Sequence, residues 1–300
     1  MAFNLPVFIT RTRTAAIFVA VMAAGLLLGK WSFLILFCII HFGCWYEYQQ
    51  IMSRIFPSYK AITAFHRVGV ILAGWCLMLF ATSEHWNIGA ISLSSIGFWL
   101  GLILIFVLPM IELLFTRHLE LRNIWISIAG LIYISMSLSM IVHLRSGDIW
   151  LNHKAEDSLN TLNIGLAHYT GFLVPLVIIG SIWINDTMAY IVGSLIGKTQ
   201  LSSISPKKTW EGTIGGIILS VAVMSVIGWY VEAVWQHYLF ISLISAVAGS
   251  FGDLFESKLK RLAGVKDSGS LMPGHGGFLD RFDSLLFAIP FVWLYAVVFM

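Results

Sequence analysis

Charged residues are scarce in this chain, and their scarcity excludes an ordinary water-soluble fold. Lysine, arginine, aspartate and glutamate make up 11% of the 300 residues, whereas 58% are hydrophobic. A soluble domain averages about a quarter charged residues, so one water-facing core cannot hide this much apolar surface. We therefore predict an all-α, polytopic integral membrane helical bundle, with residues 1–300 forming a single integral membrane domain. The 12 Trp and nine Tyr suit a protein anchored at two membrane interfaces.

Cysteine is also rare, with three residues at positions 38, 44 and 76, all in or beside apolar runs. They have neither the spacing of a zinc site nor the density of a disulfide framework. Proline-rich linkers, repeats and low-complexity tracts are absent as well. Arg11 and Arg13 precede an apolar run that resumes after Lys30 without a convincing cleavage site. A retained first membrane helix is therefore expected rather than a signal peptide.

Long apolar runs predict about nine membrane-spanning helices, because a spanning helix needs about 20 mostly apolar residues. Gly97 and Gly101, and likewise Gly212 and Gly216, are four residues apart, a spacing that lets helices approach closely. We interpret both pairs as packing features. The nine runs lie near residues 14–29, 32–48, 67–82, 94–115, 123–143, 164–184, 213–231, 236–255 and 284–300.

The basic residues orient these helices across the membrane. With the N-terminus in the cytoplasm and alternating sides, 15 of the 18 Lys and Arg fall in cytoplasmic segments, and Lys30, Arg145 and Lys154 fall outside. The positive-inside rule expects this bias. The C-terminus is then outside, and both long polar stretches, 185–212 and 256–283, face the cytoplasm. A bacterial-type inner membrane is the expected location.

Polar residues are unevenly distributed between the two halves of the chain. Residues 1–163 carry few polar groups inside their spans, whereas residues 185–284 are dense with them. Intramembrane ionisable residues usually mark functional sites. We therefore expect residues 1–163 to be mainly scaffold helices and residues 164–300 to form the catalytic half.

The cytoplasmic end of the eighth span carries an acid, a hydroxyl and two cations on one helical face. Asp253, Ser257, Lys260 and Arg261 stand at i, i+4, i+7 and i+8. Cations that complement the dipole of a helix end would explain the basic residues without any function. They do not explain Asp253 inside an apolar run, because acids in membranes usually pair or bind ions.

A glycine-rich loop follows this helix. Lys266 and Asp267 begin it, and Pro273 leads to His275, Gly276 and Gly277. Glycine permits unusual backbone dihedrals and close approach of a ligand, and the next helix N-terminus offers unpaired N–H groups to an anion. A plain connecting turn is an equally good interpretation of the glycines alone. His275 alone is more often a structural residue than a catalyst.

Two acids open the last span, with Arg281 between them. Asp280 and Asp283 lie one turn apart, where acids are favourable even without a function. They also suit magnesium, which takes one or two carboxylates together with water and phosphate oxygens. We predict that Asp253 and Asp280 bind this cation, with Asp283 as the third candidate ligand.

The second polar stretch places two lysines before a helix N-terminus. Lys207 and Lys208 in the segment SPKKTWEG would suit a phosphate clamp, although anionic lipid head groups are a competing partner for Lys207. Asn185 and Asp186 are expected to end the sixth span. The sequence GSLIGKT, residues 193–199, is not a P-loop, because three residues rather than four separate its glycines and no strand precedes it.

Together these motifs resemble the signature of the phosphatidate cytidylyltransferases, also called CDP-diacylglycerol synthases. The resemblance rests on three parts: SxLKR at residues 257–261, KDxG at 266–269 and HGGFxDRFD at 275–283. SPKKTWEG at 205–212 is similar to a second recurrent motif of that family. Met272 departs conservatively from the leucine, isoleucine or phenylalanine expected there.

The resemblance implies an enzyme that makes CDP-diacylglycerol and pyrophosphate from CTP and phosphatidic acid, with Mg²⁺ and room for a second, monovalent cation such as K⁺. The lipid phosphate would attack the α-phosphate of CTP. Because that nucleophile is already anionic, catalysis reduces to neutralising charge and holding two anions together. The implied catalytic residues are Asp253, Asp280, Lys260 and Arg261, and the substrate-binding residues are Lys208, Ser257, Lys266, Asp267, His275, Gly276, Gly277 and Arg281.

Two alternatives remain open at this point. A CTP-dependent polyprenol or lipid kinase would share the nucleotide site but would release CDP. A membrane transporter is the non-enzymatic alternative, although transporters favour charges at mid-membrane and repeated halves. The lipid bilayer is an expected partner, a homodimer is an expected assembly, and no nucleic acid is expected to bind.

Overall fold

Helices make up nearly all of the regular structure in the computed structural model, which describes residues 5–83, 85–115, 120–146, 172–231, 235–269 and 276–300. Two short antiparallel hairpins are the only strands within those ranges. In lipid every backbone polar group must be satisfied internally, and a helix does this within one segment. The predicted all-α membrane fold is confirmed.

The first part of the chain consists of consecutive helices and one small hairpin. Strands β1 (Asn87–Ile88) and β2 (Ile91–Ser92) pair around Gly89, whose φ of 63° favours glycine. A π-helical segment, Leu131–Met136, joins α6 to α7. The helices are α1 (Leu5–Leu27), α2 (Lys30–Ile55), α3 (Pro57–Lys60), α4 (Ala64–Phe80), α5 (Leu93–Phe115), α6 (Leu121–Gly130) and α7 (Ser137–Ser146).

The second part contains four long helices and the second hairpin. Strands β3 (Gln200–Ser202) and β4 (Ser205–Thr209) pair antiparallel between two of these helices. The helices are α8 (Leu173–Ile196), α9 (Trp210–Tyr230), α10 (Trp235–Leu262) and α11 (Leu279–Phe299).

Each of the nine predicted spans coincides with helical structure in the described residues. Seven helical segments are long and apolar enough to cross a membrane, and two shorter apolar ones, Thr12–Leu27 and Ala64–Phe80, match the first and third runs. The fifth span is the composite of α6, the π-helical segment and α7, Leu121–Ser146. The chain is therefore a membrane protein.

One predicted boundary is wrong. We expected Asn185 and Asp186 to end the sixth span, but α8 continues without a break to Ile196. The residues after Asp186, TMAYIVGSLI, are mostly apolar and contain no proline, so nothing stops the helix there. Two polar residues therefore lie inside a helix, and the connection to α9 is shorter than predicted. Residues 164–171 of the predicted span lie outside the described residues.

The chain divides into two compact units. The first unit comprises Met1–Val142 and Leu259–Phe282, and the second comprises His143–Lys258 and Asp283–Met300. Helices α10 and α11 each contribute residues to both units. The assignment of residues 1–163 to scaffold and 164–300 to catalysis stays a prediction.

A polar cluster lies in the core of the first unit. The hydroxyl of Ser135, in the π-helical segment, lies 2.8 Å from Nε1 of Trp45 and 3.0 Å from Nε2 of His41, and all three side chains are buried. Gly130 makes room for this packing, because a Cβ there would overlap the rings of Trp45 and Tyr48. Helices α2 and α6 therefore approach closely through a small residue.

Helices α8 and α9 pack closely against each other in the second unit. A Cβ built on Gly216 would lie 2.7 Å from the carbonyl oxygen of Asn185, and one on Gly212 would lie 2.7 Å from that of Ala189. The Ser220 hydroxyl donates to the carbonyl of Ser181 at 2.8 Å. The interpretation of Gly212 and Gly216 as packing residues is confirmed. Gly97 on α5 packs similarly against the backbone of α4 at Phe80.

We predict that Gly216→Val lowers the free energy of unfolding by about 1–3 kcal/mol, because the new side chain overpacks the contact between α8 and α9. Denaturant unfolding in detergent measures this change. Ile218→Val is the control, since Ile218 lies on the same helix and is 61% exposed. Equal stability of the two variants would contradict the proposed packing role.

Candidate functional site

The polar end of α10 is helical, as the spacing of Asp253, Ser257, Lys260 and Arg261 predicted. The apolar run ends near residue 255, and the helix, which has 28 residues, continues to Leu262. At 1.5 Å per residue it is about 42 Å long, whereas the hydrocarbon core is about 30 Å thick. An upright helix of this length leaves roughly two turns beyond the hydrocarbon, enough to hold Ser257, Lys260 and Arg261 in a polar region.

The first site cluster, in the first unit, is centred on Asp280, which lies in the first turn of α11. Lys260 Nζ donates to Oδ1 of Asp280 at 2.6 Å. The backbone N–H groups of Ser268 and Gly277 donate to Oδ2 at 2.9 and 2.8 Å. The two charged side chains are 12% and 8% exposed. We call Lys260, Ser268, Gly277 and Asp280 the Lys260–Asp280 cluster.

The two glycines that precede α11 are required by this geometry. Gly276 has a φ of 83°, a conformation that side chains rarely adopt, and a Cβ there would also overlap the Asp280 carboxylate. Gly277 supplies one of the N–H donors to that carboxylate. Both residues, predicted as substrate-binding, therefore form the backbone around Asp280. His275 lies outside the described residues.

The second site cluster, in the second unit, joins the hairpin to α10. Lys208 forms an ion pair with Oδ2 of Asp253, and the Ser257 hydroxyl donates to Oδ1 at 3.2 Å. The Lys208 and Asp253 side chains are 29% and 31% exposed. We call these three residues the Lys208–Asp253 cluster. Its acid retains lone pairs and access to solvent, so it is more available to a ligand than Asp280.

The segment SPKKTWEG folds so that the backbone at Lys208 is fixed. Residues 205–209 form β4, and the Thr209 side chain caps α9 by accepting from the N–H of Gly212 at 3.2 Å. The Glu211 carboxylate accepts from the N–H groups of Lys198 and Thr199. Glu211 therefore ties the loop before β3 to the start of α9, a role that the sequence analysis missed.

The remaining predicted residues occupy different environments. Arg261, Lys266, Asp267 and Arg281 are exposed, so they are accessible to a soluble substrate. Asp283 is 7% exposed, and its Oδ1 accepts from the N–H of Ser284 at 2.6 Å. Asp283 and Asp253 belong to the second unit, and Asp280 belongs to the first.

A cavity of about 230 Å³ lies beside the loop that follows α10. It brings the predicted residue Asp267 together with Arg54, an exposed cation on α2 that the sequence analysis did not select. The cavity belongs to the first unit. Its lining consists of Gln50, Ile51, Arg54, Val265, Asp267, Ser268 and Gly269.

Each cluster contains an acid with the donor chemistry of a magnesium ligand. In the described ranges, no three side chains of His, Cys, Asp or Glu converge as a ready-made metal centre. Magnesium does not need one, since it is usually bound by one or two carboxylates plus water and substrate phosphates. Asp253 fits this pattern best. Asp280 fits only through Oδ1, because two backbone N–H groups already occupy Oδ2.

Glu47, on α2, is an acid of the site region that the sequence analysis missed. It is 4% exposed, and its carboxylate reaches the loop after α10 and the start of α11. The sequence does show a lone acid within the otherwise apolar run of the second span. Its partners could not be predicted from the sequence, because two of the three groups that Glu47 binds are backbone N–H groups.

Comparison with known proteins gives consistent matches. The profile described as "Cytidylyltransferase family" matches residues 9–299. A phosphatidate cytidylyltransferase of Synechocystis sp. is 31% identical over 97% of each chain. Phosphatidate cytidylyltransferase 4, chloroplastic, of Arabidopsis thaliana is 43% identical over 53% of this chain and 42% of its own length. The phosphatidate cytidylyltransferase of Bacillus subtilis is 45% identical over 39% of this chain and 45% of its own.

The two clusters should differ in their contribution to stability. Asp280→Asn should cost about 1–3 kcal/mol of unfolding free energy, since an amide cannot accept from Lys260 and the two backbone donors together. Asp253→Asn should cost less than about 1 kcal/mol, because its ion pair is nearly one-third exposed. Thermal unfolding of the purified variants in detergent compares them. Equal losses of unfolding free energy would show that the hydrogen bonds to Asp280 stabilise the fold no more than the Lys208–Asp253 ion pair does.

Proposed function

Because this chain belongs to the cytidylyltransferase family, we propose that it makes CDP-diacylglycerol and pyrophosphate from CTP and phosphatidic acid. The observation that carries this proposal is the similarity to the Synechocystis phosphatidate cytidylyltransferase over 97% of both chains. The chain is then a nucleotidyltransferase of phospholipid synthesis that works within a membrane.

The reaction needs charge neutralisation more than acid–base chemistry. A phosphate oxygen of the lipid attacks the α-phosphorus of CTP, and the bond from that phosphorus to the oxygen bridging to the β-phosphate breaks. Pyrophosphate leaves with the electron pair. The nucleophile is already an anion, so no side chain has to remove a proton from it. The protein has to hold two anions that repel each other and stabilise the charge that develops on the leaving group.

Basic residues of both clusters are suited to hold these anions. Lys260 and Lys208 each pair with an acid, and their side chains are 12% and 29% exposed. Arg261 and Lys266 are exposed and lie nearby in the sequence. Arginine can bind phosphate oxygens through two parallel hydrogen bonds. We assign Lys208, Lys260, Arg261 and Lys266 to the phosphates, with Ser257 as a further hydrogen-bond donor. Arg281 and Asp267 are assigned to substrate contacts, as is His275.

We assign the acids Asp253 and Asp280 to magnesium, with Asp283 as a third candidate. When bound, Mg²⁺ would polarise phosphate oxygens and offset the negative charge of the triphosphate. Asp253 is the best-placed ligand, since it is nearly one-third exposed and binds a single hydroxyl and a single ammonium. A second, monovalent cation such as K⁺ belongs to the same proposal.

The ion pairs of the two clusters favour binding of an anion and a cation together. Breaking a partly buried ion pair leaves two charges uncompensated, which is costly. If a lysine turns to a phosphate while its acid turns to the cation, both charges acquire new partners at once. The Lys208–Asp253 pair can rearrange in this way because solvent reaches it, whereas the more buried Lys260–Asp280 pair is held by backbone donors.

The backbone N–H groups at the start of α11 are already used within the protein. Gly277 donates to Asp280, and Phe278 and Leu279 donate to Glu47. The expectation that this helix N-terminus offers unpaired donors to a substrate anion is therefore wrong, because carboxylates of the chain accept these hydrogen bonds. The cavity lined by Arg54 and Asp267 places a further cation beside the same loop.

We further propose that the site faces the cytoplasm of a bacterial-type inner membrane, where CTP is synthesised. The bias of 15 basic residues against three supports this orientation. The surrounding bilayer would deliver phosphatidic acid laterally, and a homodimer remains the expected assembly. A CTP-dependent kinase and a transporter receive no support from the named relatives.

The proposal is tested with purified protein in detergent, supplied with CTP, phosphatidic acid and Mg²⁺. We expect CDP-diacylglycerol and pyrophosphate in equal amounts, and no turnover when a chelator removes the divalent cation. Release of CDP with a phosphorylated lipid would instead identify a kinase. Absence of any CTP-dependent lipid product from folded protein would refute the proposed function.

Asp253→Asn should reduce kcat/KM by about 100-fold or more while the protein stays folded, because the variant loses the charge that would hold the divalent cation beside the reacting phosphates. Glu120→Gln is the matched control, since Glu120 is an exposed acid paired with Arg122 and lies outside both clusters. Near wild-type activity of Asp253→Asn at ordinary magnesium would remove Asp253 from the metal site.

A further inference from the structure

Glu47 makes an unusually complete set of contacts for a single acid on a membrane helix. Its Oε1 accepts from the N–H of Phe278 at 2.9 Å, and its Oε2 accepts from the Ser268 hydroxyl at 2.6 Å and from the N–H of Leu279 at 2.8 Å. A carboxylate that is 4% exposed is costly to bury unless such donors surround it. The acid also lies at the N-terminus of α11, where negative charge is favourable.

Glycines on both sides shape the space that Glu47 occupies. A Cβ built on Gly269 or Gly277 would overlap the Glu47 carboxylate. One helical turn earlier on α2, a Cβ on Gly43 would overlap the ring of Phe278. Residues four apart lie on one helical face, so this face of α2 receives both the side chain and the backbone N–H of Phe278. The fit is therefore specific to a small residue at 43 and a long acid at 47.

Ser268 connects Glu47 to the Lys260–Asp280 cluster. Its hydroxyl donates to Glu47 and accepts from the N–H of Asp280 at 3.2 Å. Its own N–H donates to Oδ2 of Asp280 at 2.9 Å. Movement of Ser268 would therefore disturb Asp280 at two points, and through it the ion pair with Lys260 at 2.6 Å.

We infer that Glu47 is a positioning residue for the proposed transfer reaction, which fixes Ser268 and the start of α11 so that Asp280 and Lys260 keep their places. Glu47 touches no substrate in this scheme and acts through Ser268. The inference rests on the proposed function only for its kinetic consequence. Its structural part concerns the order of residues 265–269 and 276–283 and stands independently of any activity.

Glu47→Gln tests the inference with little change in shape. One side of the amide cannot accept a hydrogen bond, so either Phe278 or the pair of Leu279 and Ser268 loses an acceptor. Faster amide hydrogen exchange, by about tenfold, is expected in peptides covering residues 265–269 and 276–283, with the other helices unchanged. We also expect kcat to fall by about tenfold or more, because small misplacements of catalytic groups are expensive, while KM for CTP changes less than threefold.

Glu112→Gln is the matched control. Glu112 is also a largely buried acid on a helix of the first unit, and it binds Thr63 and His66 rather than the site loop. This variant should keep wild-type kcat and leave exchange of residues 265–269 and 276–283 unchanged. A similar loss of kcat in both variants, or a uniform rise in exchange throughout Glu47→Gln, would indicate a merely structural acid and overturn the inference.

Gly269→Ala alters the contact between Glu47 and the site loop by changing the loop instead of the acid. It tests the positioning role if Glu47→Gln does not fold. The added methyl group should displace the carboxylate and reproduce the local rise in exchange and the fall in kcat. Wild-type exchange and kcat in this variant would overturn the inference. If wild-type protein makes no CDP-diacylglycerol, the proposed function fails, whereas the exchange measurements still confirm or refute the positioning role.

Discussion

The structure depends on satisfying buried carboxylates within a chain that is mostly apolar. An acid removed from water without partners costs far more free energy than a whole domain has to spare. Asp280 and Glu47 each receive three hydrogen bonds, most of them from backbone N–H groups or lysine. The backbone at residues 268 and 277 therefore has its conformation set by the acids it surrounds.

The carboxylates of the two clusters are satisfied by different kinds of donor. Asp280 is held mainly by backbone donors that cannot leave, whereas Asp253 is held by a hydroxyl and a lysine side chain that can rotate away. A rigid acid suits the maintenance of geometry, and an adaptable pair suits exchange of partners with an incoming ligand.

The sequence was sufficient to predict the nine helical runs and the polar segments that hold the two clusters. Run length decides whether a helix can span a membrane, and the few charges in this chain are conspicuous. The sequence was insufficient to predict the contacts of Glu47, because its partners include backbone N–H groups, which every residue except proline possesses. The end of α8 was misplaced because Asn185 and Asp186 are polar but do not break a helix. The pairing of Asp253 with Lys208, and the hairpin that carries Lys208, depend on tertiary contacts that local pattern does not encode.

The distance along the chain between Glu47 and Leu279, 232 residues, has a consequence for biogenesis. A ribosome completes α2 long before it reaches α11, so the acid is inserted well before its final partners exist. During that interval its charge must be met by water, lipid head groups or provisional neighbours. Closure of so long a loop is entropically costly and slow relative to local helix formation. The contacts of Glu47 can therefore form only after α11 has been synthesised and has entered the bilayer.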